Sequence, residues 1–300
     1  MKPTVFIQAN HRQHLGAKIS AHSYKRNARN PDSFDVKILH ARDFPRLMDA
    51  DQSILRGGEI RQWDPDDLQS FTPLRFYPPQ AMGFEGLAVV TDPDVFAVGD
   101  VGELFTRDRG GKAIWAVPRP GHNRRRDYIA TSVMLLDCAK LTHWRFDEQL
   151  DRLFGRQFDY LDWIHLGLEE PSTIGALEAE WNDFDRLTAR TKLLHTTKRR
   201  TQPWKTGLPV DFTLQRSWLV DLFNRLLLRY APHPDRNQEA LVYSLLAEMY
   251  DGGAVTDDEL REEMGANHIR HDSLELIERY RGWTLPWQRS KGQSRVLSPA

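Results

Sequence analysis

A single cysteine, Cys138, stands in a chain of 300 residues. That excludes a disulfide framework and points to a reducing compartment, the cytoplasm. Its setting, Met134-Leu-Leu-Asp-Cys138, reads as a half-buried thiol rather than a nucleophile. No apolar run approaches the roughly 20 residues that a bilayer-spanning helix needs. Met1-Lys2-Pro3 leads straight into a strand-like run with polar residues inside it, unlike a secretory leader. The expectation is a soluble intracellular protein, with a peripheral membrane contact left open. An excess of one charge is also missing: 41 basic against 42 acidic residues leave a net charge of −1. That balance offers no electrostatic case for a nucleic-acid partner. No internal repeat is present. What the chain does have is apolar material, 40% hydrophobic and 10% aromatic, which suits one large α/β domain with or without a small appendage and argues against global disorder.

Short β-rich runs recur between helical patterns. Thr4–Ala9, Phe34–Leu39, Leu87–Val90, Ala113–Val117 and Ser132–Leu136 read as strands, and Gly16–Arg29 as a helix. This alternation predicts an α/β fold with a mostly parallel sheet. Pro73, Pro78 and Pro79 would interrupt any helix over Leu68–Met82. Lys140–Phe184 reads as helices and loops, followed by a short strand at Thr191–Thr196. Beyond Pro209 the pattern becomes helical. Leu214–Tyr230 is amphipathic, with Trp218, Leu222, Leu226 and Arg229 at helical spacing, and reads as core packing more readily than as a membrane-surface helix. Gln238–Tyr250 ends at Gly252-Gly253, Thr256-Asp-Asp-Glu259 has capping-box form, and a last helix covers Asp272–Tyr280. The expected organisation is an α/β domain over residues 1–212, a helical C-terminal extension over 213–287 and a disordered tail over 288–300.

The feature with most chemical content is Asp92-Pro93-Asp94, at the end of the apolar run Gly86-Leu-Ala-Val-Val-Thr91. A carboxylate beside a core is costly unless something positive meets it. In extended backbone residues i and i+2 share a side, so the pair could grip one cation; a solvated turn is the alternative. Three other D-x-D triplets occur, Asp49/Asp51, Asp64/Asp66 and Asp183/Asp185, none after an unbroken apolar run. Asp64 reads as the N-cap of a helix starting near Pro65. Ligands of α/β sheets bind outside the carboxyl ends of the strands, where Gln8, Asn10 and His195 also lie. His195 is either a satisfied core histidine or a third ligand, for which Mn²⁺ would suit a neutral imidazole. Lys198, Arg199, Arg200 and Lys205 follow it, either as a basic surface loop or as a trap for a diphosphate. His122-Asn-Arg-Arg-Arg126 reads as a solvated loop, and His268 and His271 as surface residues.

Phe71-Thr-Pro-Leu-Arg-Phe76, then Gly86 to Phe105 with its D-x-D and Asp100-Val-Gly-Glu-Leu-Phe105, resembles the core of the retaining GT-A glycosyltransferases of the glycogenin and galactosyltransferase type, family 8. Val133-Met-Leu-Leu-Asp137, Leu177 to Asn182 and His195 with Pro203-Trp204 are similar to later landmarks of that family in the same order, over about the first 210 residues. The resemblance implies a GT-A, Rossmann-like sheet and a metal-dependent transfer of sugar from a nucleotide-diphosphate donor, usually a UDP-sugar, with retention. It implies Mn²⁺, with Mg²⁺ as the alternative, on Asp92, Asp94 and His195; nucleoside contacts near Gln8, Asn10 and His11; and donor contact by Arg75. Asp162 matches the family's acidic donor-sugar contact, though it could equally cap a helix or face solvent. The acceptor, whether glycan, lipid-linked or protein, is not implied. Two departures stand out. The family's usual Asn-Ala-Gly is replaced by Ala130-Thr-Ser132, with Ser132 as a partial substitute. The loop after His195 is one residue longer and puts Gln202 before Pro203, leaving Lys198 and Lys205 as the replacement cations. Two other readings compete. A sugar nucleotidyltransferase would need a Gly-rich basic loop after the first strand, whereas Asn10–Gly16 holds one Arg and one Gly. The other is a non-catalytic nucleotide-sugar-binding or scaffolding protein.

Overall fold

The computed structural model describes residues 1–67, 69–121, 127–212 and 228–288. The loop 122–126, most of the amphipathic run 214–230 and the tail 289–300 lie outside the described residues. The chain forms two compact units. One comprises Met1–Arg186 with Arg190–Thr197; the other comprises Leu187–Ala189 with the described residues from Lys198 onward.

The first unit is built on a six-stranded sheet. Its strands are β1 (Thr4–Ala9), β2 (Asp35–His40), β5 (Leu87–Thr91), β7 (Ile114–Arg119), β8 (Tyr128–Asp137) and β9 (Ile174–Ala176), in the order β2-β1-β5-β8-β7-β9. The sheet is mixed. β1 pairs in parallel with β2 and β5, and β7 with β9, but β8 runs antiparallel to both of its neighbours. A second sheet joins β6 (Val95–Ala97), β10 (Asp183–Phe184) and β11 (Leu193–His195). Apolar clusters cover both faces of the large sheet. Val90, Met134 and Leu136 pack with Phe76, Trp144 and Trp163 on one side, and Val89, Val133 and Leu135 with Tyr24, Trp181 and Leu193 on the other. Double-sided burial explains why these strands read as continuous apolar runs.

The five expected strands are present within a few residues of their predicted ends, as is the helix at His14–Arg26. The helix expected from Pro65 is absent. Residues 65–67 form turns, and the Asp64 side chain accepts the Asp66 N–H at 3.0 Å in a local turn. The proline-rich stretch becomes a 3₁₀ segment, Thr72–Phe76, and a single α-turn, Pro78–Ala81. The hairpin β3 (Ser53–Arg56) to β4 (Glu59–Gln62) was not anticipated, although Gly57-Gly58 at φ +63° and +78° carries its turn signature. β9 and β10 are too short to register as periodic patterns. Cys138, expected half-buried, is fully buried, and desolvation pushes its thiol up to about 12, so it is no nucleophile at neutral pH.

The second unit holds helices Arg236–Asp251, Asp257–Gly265 and Ser273–Tyr280. The Thr256 hydroxyl accepts the Glu259 N–H at 3.2 Å, as the capping pattern predicts. Glu239, 4% exposed, is satisfied by Arg270 at 2.7 Å and the Tyr280 hydroxyl at 2.9 Å, so its burial carries no unpaired charge. No helix among the described residues is long and apolar enough to cross a membrane.

Candidate metal centre

Strand β5 delivers its last residue, Thr91, to the sheet edge, and Asp92-Pro93-Asp94 turns the chain into β6. The turn is fixed from three sides. The Asp92 N–H donates to the Ser132 carbonyl at 3.1 Å and the Val95 N–H to the Asp92 carbonyl at 3.2 Å. The helix His14–Arg26 takes the place of a neighbouring strand along β6. Ser20 Oγ donates to the Val95 carbonyl at 2.6 Å, Ser23 Oγ accepts the Ala97 N–H at 2.8 Å, and Asn27 donates to the Ala97 carbonyl at 2.8 Å. These two hydroxyls and one amide satisfy an edge that would otherwise bury unpaired backbone groups. Gly16 lets that helix approach closely, since a Cβ there would lie 3.2 Å from the Pro93 carbonyl oxygen. On the other edge β11 runs antiparallel to β6 with His195 opposite Val95, and the Thr196 N–H reaches the Asp94 carbonyl at 3.1 Å. The register therefore sets His195 beside Asp94. Ligand atoms of Asp92, Asp94 and His195 all fall within 4.8 Å of one another.

The other D-x-D triplets are satisfied locally. Asp49 accepts from the Asp51 N–H at 3.0 Å and from Gln52 at 2.7 Å. Asp183 binds Thr191 at 2.8 Å and Arg186 at 3.2 Å, and Asp185 binds Thr197 at 2.5 Å. Among the described residues only the Asp92/Asp94 pair joins a histidine in a potential metal cluster.

Asp92, 6% exposed, is held rigidly. Its Oδ1 accepts from Gln8 Nε2 at 2.6 Å and Arg75 Nε at 3.0 Å, while Oδ2 meets Arg75 Nη2. A carboxylate has about four acceptor positions, so these three bonds leave Oδ2 free for one further contact. Asp94 Oδ1 lies 3.3 Å from His195 Nε2. The opposite nitrogen, Nδ1, is 2.9 Å from Asn182 Oδ1, and the Asn182 amide donates to Ser132 Oγ at 3.0 Å. Asn182 Oδ1 only accepts, so Nδ1 carries a proton and Nε2 is the nitrogen directed at the two carboxylates. Burial disfavours a charged imidazole here, but the charge and hydrogen bond of Asp94, with Asp92 behind it, outweigh burial and raise the His195 pKa. Phe184 packs edge-on against the ring at 5.1 Å.

The donor set of two carboxylates and one oriented imidazole fits a divalent cation, and the nitrogen ligand suits Mn²⁺ better than Mg²⁺. Asn182→Leu tests the orientation. It removes the Nδ1 acceptor, and Mn²⁺ affinity measured by calorimetry should fall about 10- to 100-fold, the usual loss when a ligand histidine loses its outer partner. Unchanged affinity would show that Asn182 does not set the tautomer.

The structure turns Gln8 inward, fully buried on Asp92, so its amide reaches Asp92 rather than solvent. Asn10, at the exit of β1, donates to the Asp67 carbonyl at 3.0 Å, and its buried Oδ1 has no hydrogen-bond partner. His11 is exposed in the next turn. Ser132 is 6% exposed and acts on Asn182. Asp162 is exposed on the short helix Tyr160–Ile164, whose N-cap is Asp159. Lys198 and Lys205 belong to the second unit, where Lys198 is exposed. Lys205 is 3% exposed, with its ammonium on Asp211 at 2.8 Å and the Asn267 carbonyl at 3.1 Å. Sequence reading gave no role to Asn182 or Thr131. Asn182 stood only as the last residue of the Leu177–Asn182 landmark, and Thr131 only as the middle of Ala130-Thr-Ser132, a hydroxyl inside an apolar strand.

No protein-family model matches this chain, and no curated protein matches it either. Solved structures do. Mouse xyloside xylosyltransferase 1 aligns at 14% identity and a TM-score of 0.44, over 66% of this chain and 98% of that one. The glycosyltransferase GlyE of Streptococcus pneumoniae TIGR4 aligns at 14% identity and a TM-score of 0.49, over 84% of this chain but 65% of its own. A galactosyltransferase LgtC, solved with donor and acceptor sugar analogs, aligns at 15% identity and a TM-score of 0.44, over 78% of this chain and 99% of that one.

Proposed function

We propose that this protein is a metal-dependent glycosyltransferase of GT-A type that transfers a sugar from a nucleotide-diphosphate donor, a UDP-sugar by its sequence resemblance, to a glycan, lipid-linked or protein acceptor, with retention. The observation that carries this reading is the convergence of Asp92, Asp94 and His195 at the carboxyl end of β5, with the imidazole turned by Asn182. A divalent cation bound there supplies Lewis-acid stabilisation to the charge that grows on a departing diphosphate. The chain's own residues prepare that site. Arg75 and Gln8 hold Asp92 in one orientation, so little rearrangement is needed on loading. Asn10 Oδ1, buried without a partner, is an acceptor for a nucleoside N–H or O–H, with exposed His11 adjacent. Asp162 is assigned to the hydroxyls of the transferred sugar. The metal ligands, Arg75, Asn10 and Asp162 all lie in the first compact unit.

A thermal-shift screen of nucleotide-sugars, with and without Mn²⁺, tests the reading. A cognate donor at a hundredfold excess over its Kd should stabilise the protein by about 2.7 kcal/mol, and only when the metal is present. Equal stabilisation without metal would remove the metal-bridged diphosphate from the reading. Stabilisation without any donor turnover would favour a non-catalytic binding protein.

A further inference from the structure

We propose that Thr131 is a positioning residue, which ties the Asp162–His165 segment to the metal-facing carboxylate of Asp92 through Arg75. The proposal rests on the glycosyltransferase reading for its catalytic consequence, though not for the tie itself.

The tie begins with an irregularity in β8. Its pairing with β7 jumps from Met134 opposite Ala116 to Ala130 opposite Val117, so residues 131–133 have no β7 partner. Such a bulge re-aims side chains, and here it serves both halves of the metal centre. Ser132 Oγ accepts from the Asn182 amide at 3.0 Å, and Asn182 in turn contacts His195. Thr131 serves the other half. It is 2% exposed, and its Oγ1 accepts from Arg75 Nη1 at 2.9 Å while donating to the Ile164 carbonyl at 2.6 Å. That carbonyl is the last of the helix Tyr160–Ile164, one of the groups a helix end leaves unsatisfied.

Arg75 is the pivot. Its Nε and Nη2 hold Asp92, and its Nη1 holds Thr131. The guanidinium is a rigid plane, so the orientation of one side fixes the other. Two side-chain links therefore connect a metal ligand to the peptide that carries Asp162. The same segment is steadied further along by the His165 ring against Tyr128 at 5.2 Å, and by the Gly167 N–H on the Asp162 carbonyl at 2.7 Å. Gly167 fits closely there, since a Cβ would come within 3.1 Å of that oxygen. Tyr128 and Thr131 both belong to β8, so one strand sets the register of the Asp162 segment against the metal centre.

Thr131→Val keeps the shape and removes both hydrogen bonds, whereas Thr131→Ser keeps the hydroxyl. In the full chain, Thr131→Val should speed hydrogen exchange across residues 163–167 about tenfold, and leave β5 and β11 as protected as before. Mn²⁺ affinity should stay within about twofold, because Arg75 retains both bonds to Asp92. Donor turnover should lose about tenfold in kcat with KM unchanged, as when one positioning hydrogen bond is lost. Thr131→Ser should restore exchange and kcat together. Unchanged exchange over 163–167 in Thr131→Val, or a serine variant as impaired as valine, would overturn the proposal. If valine does not fold, Thr131→Ala is the second hydroxyl-free variant with the same expected pattern. If the wild-type chain turns over no donor, the glycosyltransferase reading fails alone, and the exchange comparison still decides whether Thr131 makes the tie.

Discussion

On the proposed reading, Asp94→Asn is expected to lower Mn²⁺-dependent donor turnover about a thousandfold, because it would weaken the hold on a cation that would stabilise the leaving group's charge. The fold should survive. Asp94 holds the turn through its backbone carbonyl, which accepts the Thr196 N–H at 3.1 Å, and its side chain is partly exposed. Calorimetric Mn²⁺ titration and a donor-hydrolysis assay measure the two effects separately. Loss of Mn²⁺ binding together with turnover supports the site; turnover at the wild-type rate would place the metal, or the chemistry, elsewhere.

Arg75→Met carries the largest expected effect on stability. The Arg75 and Asp92 side chains are 11% and 9% exposed, and removing the guanidinium leaves a buried carboxylate with only the Gln8 amide for support. Breaking a buried pair from one side costs about 3–5 kcal/mol, because the remaining charge is desolvated without compensation. Urea unfolding in EDTA should show that loss, and Arg75→Met combined with Asp92→Asn should recover most of it. Added Mn²⁺ should also recover part of it in the single variant, since a cation replaces the missing positive charge. A single variant within about 1 kcal/mol of wild type would mean that Asp92 does not depend on Arg75.

Both predictions concern residues visible in the sequence, and the difference lies in how each became visible. Asp92 and Asp94 follow an apolar strand, and that local context alone set them apart from Asp49/Asp51, Asp64/Asp66 and Asp183/Asp185. Arg75 entered by resemblance as a residue that reaches the donor; in the fold its guanidinium is engaged by Asp92 and Thr131. The Pro65 helix failed because a capping aspartate and an N-terminal proline are equally compatible with a simple turn, which is what Asp64 closes on Asp66. The hairpin at Gly57-Gly58 was legible from its glycines, but its strands are four residues each and carry no strong alternation.

The sequence by itself determined the α/β alternation, the apolar strands, the aspartate pair at the end of β5 and the unreactive character of Cys138, whose full burial only the fold decided. These are local properties of periodicity, composition and turn chemistry, which a single segment displays without its partners. That His195, about a hundred residues further on, joins that pair entered by resemblance alone, because what brings it there, the antiparallel register of β11 on β6, is a non-local choice that no single segment displays. Only the tertiary structure placed Asn182 behind the imidazole and Thr131 between Arg75 and the Ile164 carbonyl. A hydrogen bond between distant side chains has no periodicity to read, and each needs both partners delivered by separate strands before it exists.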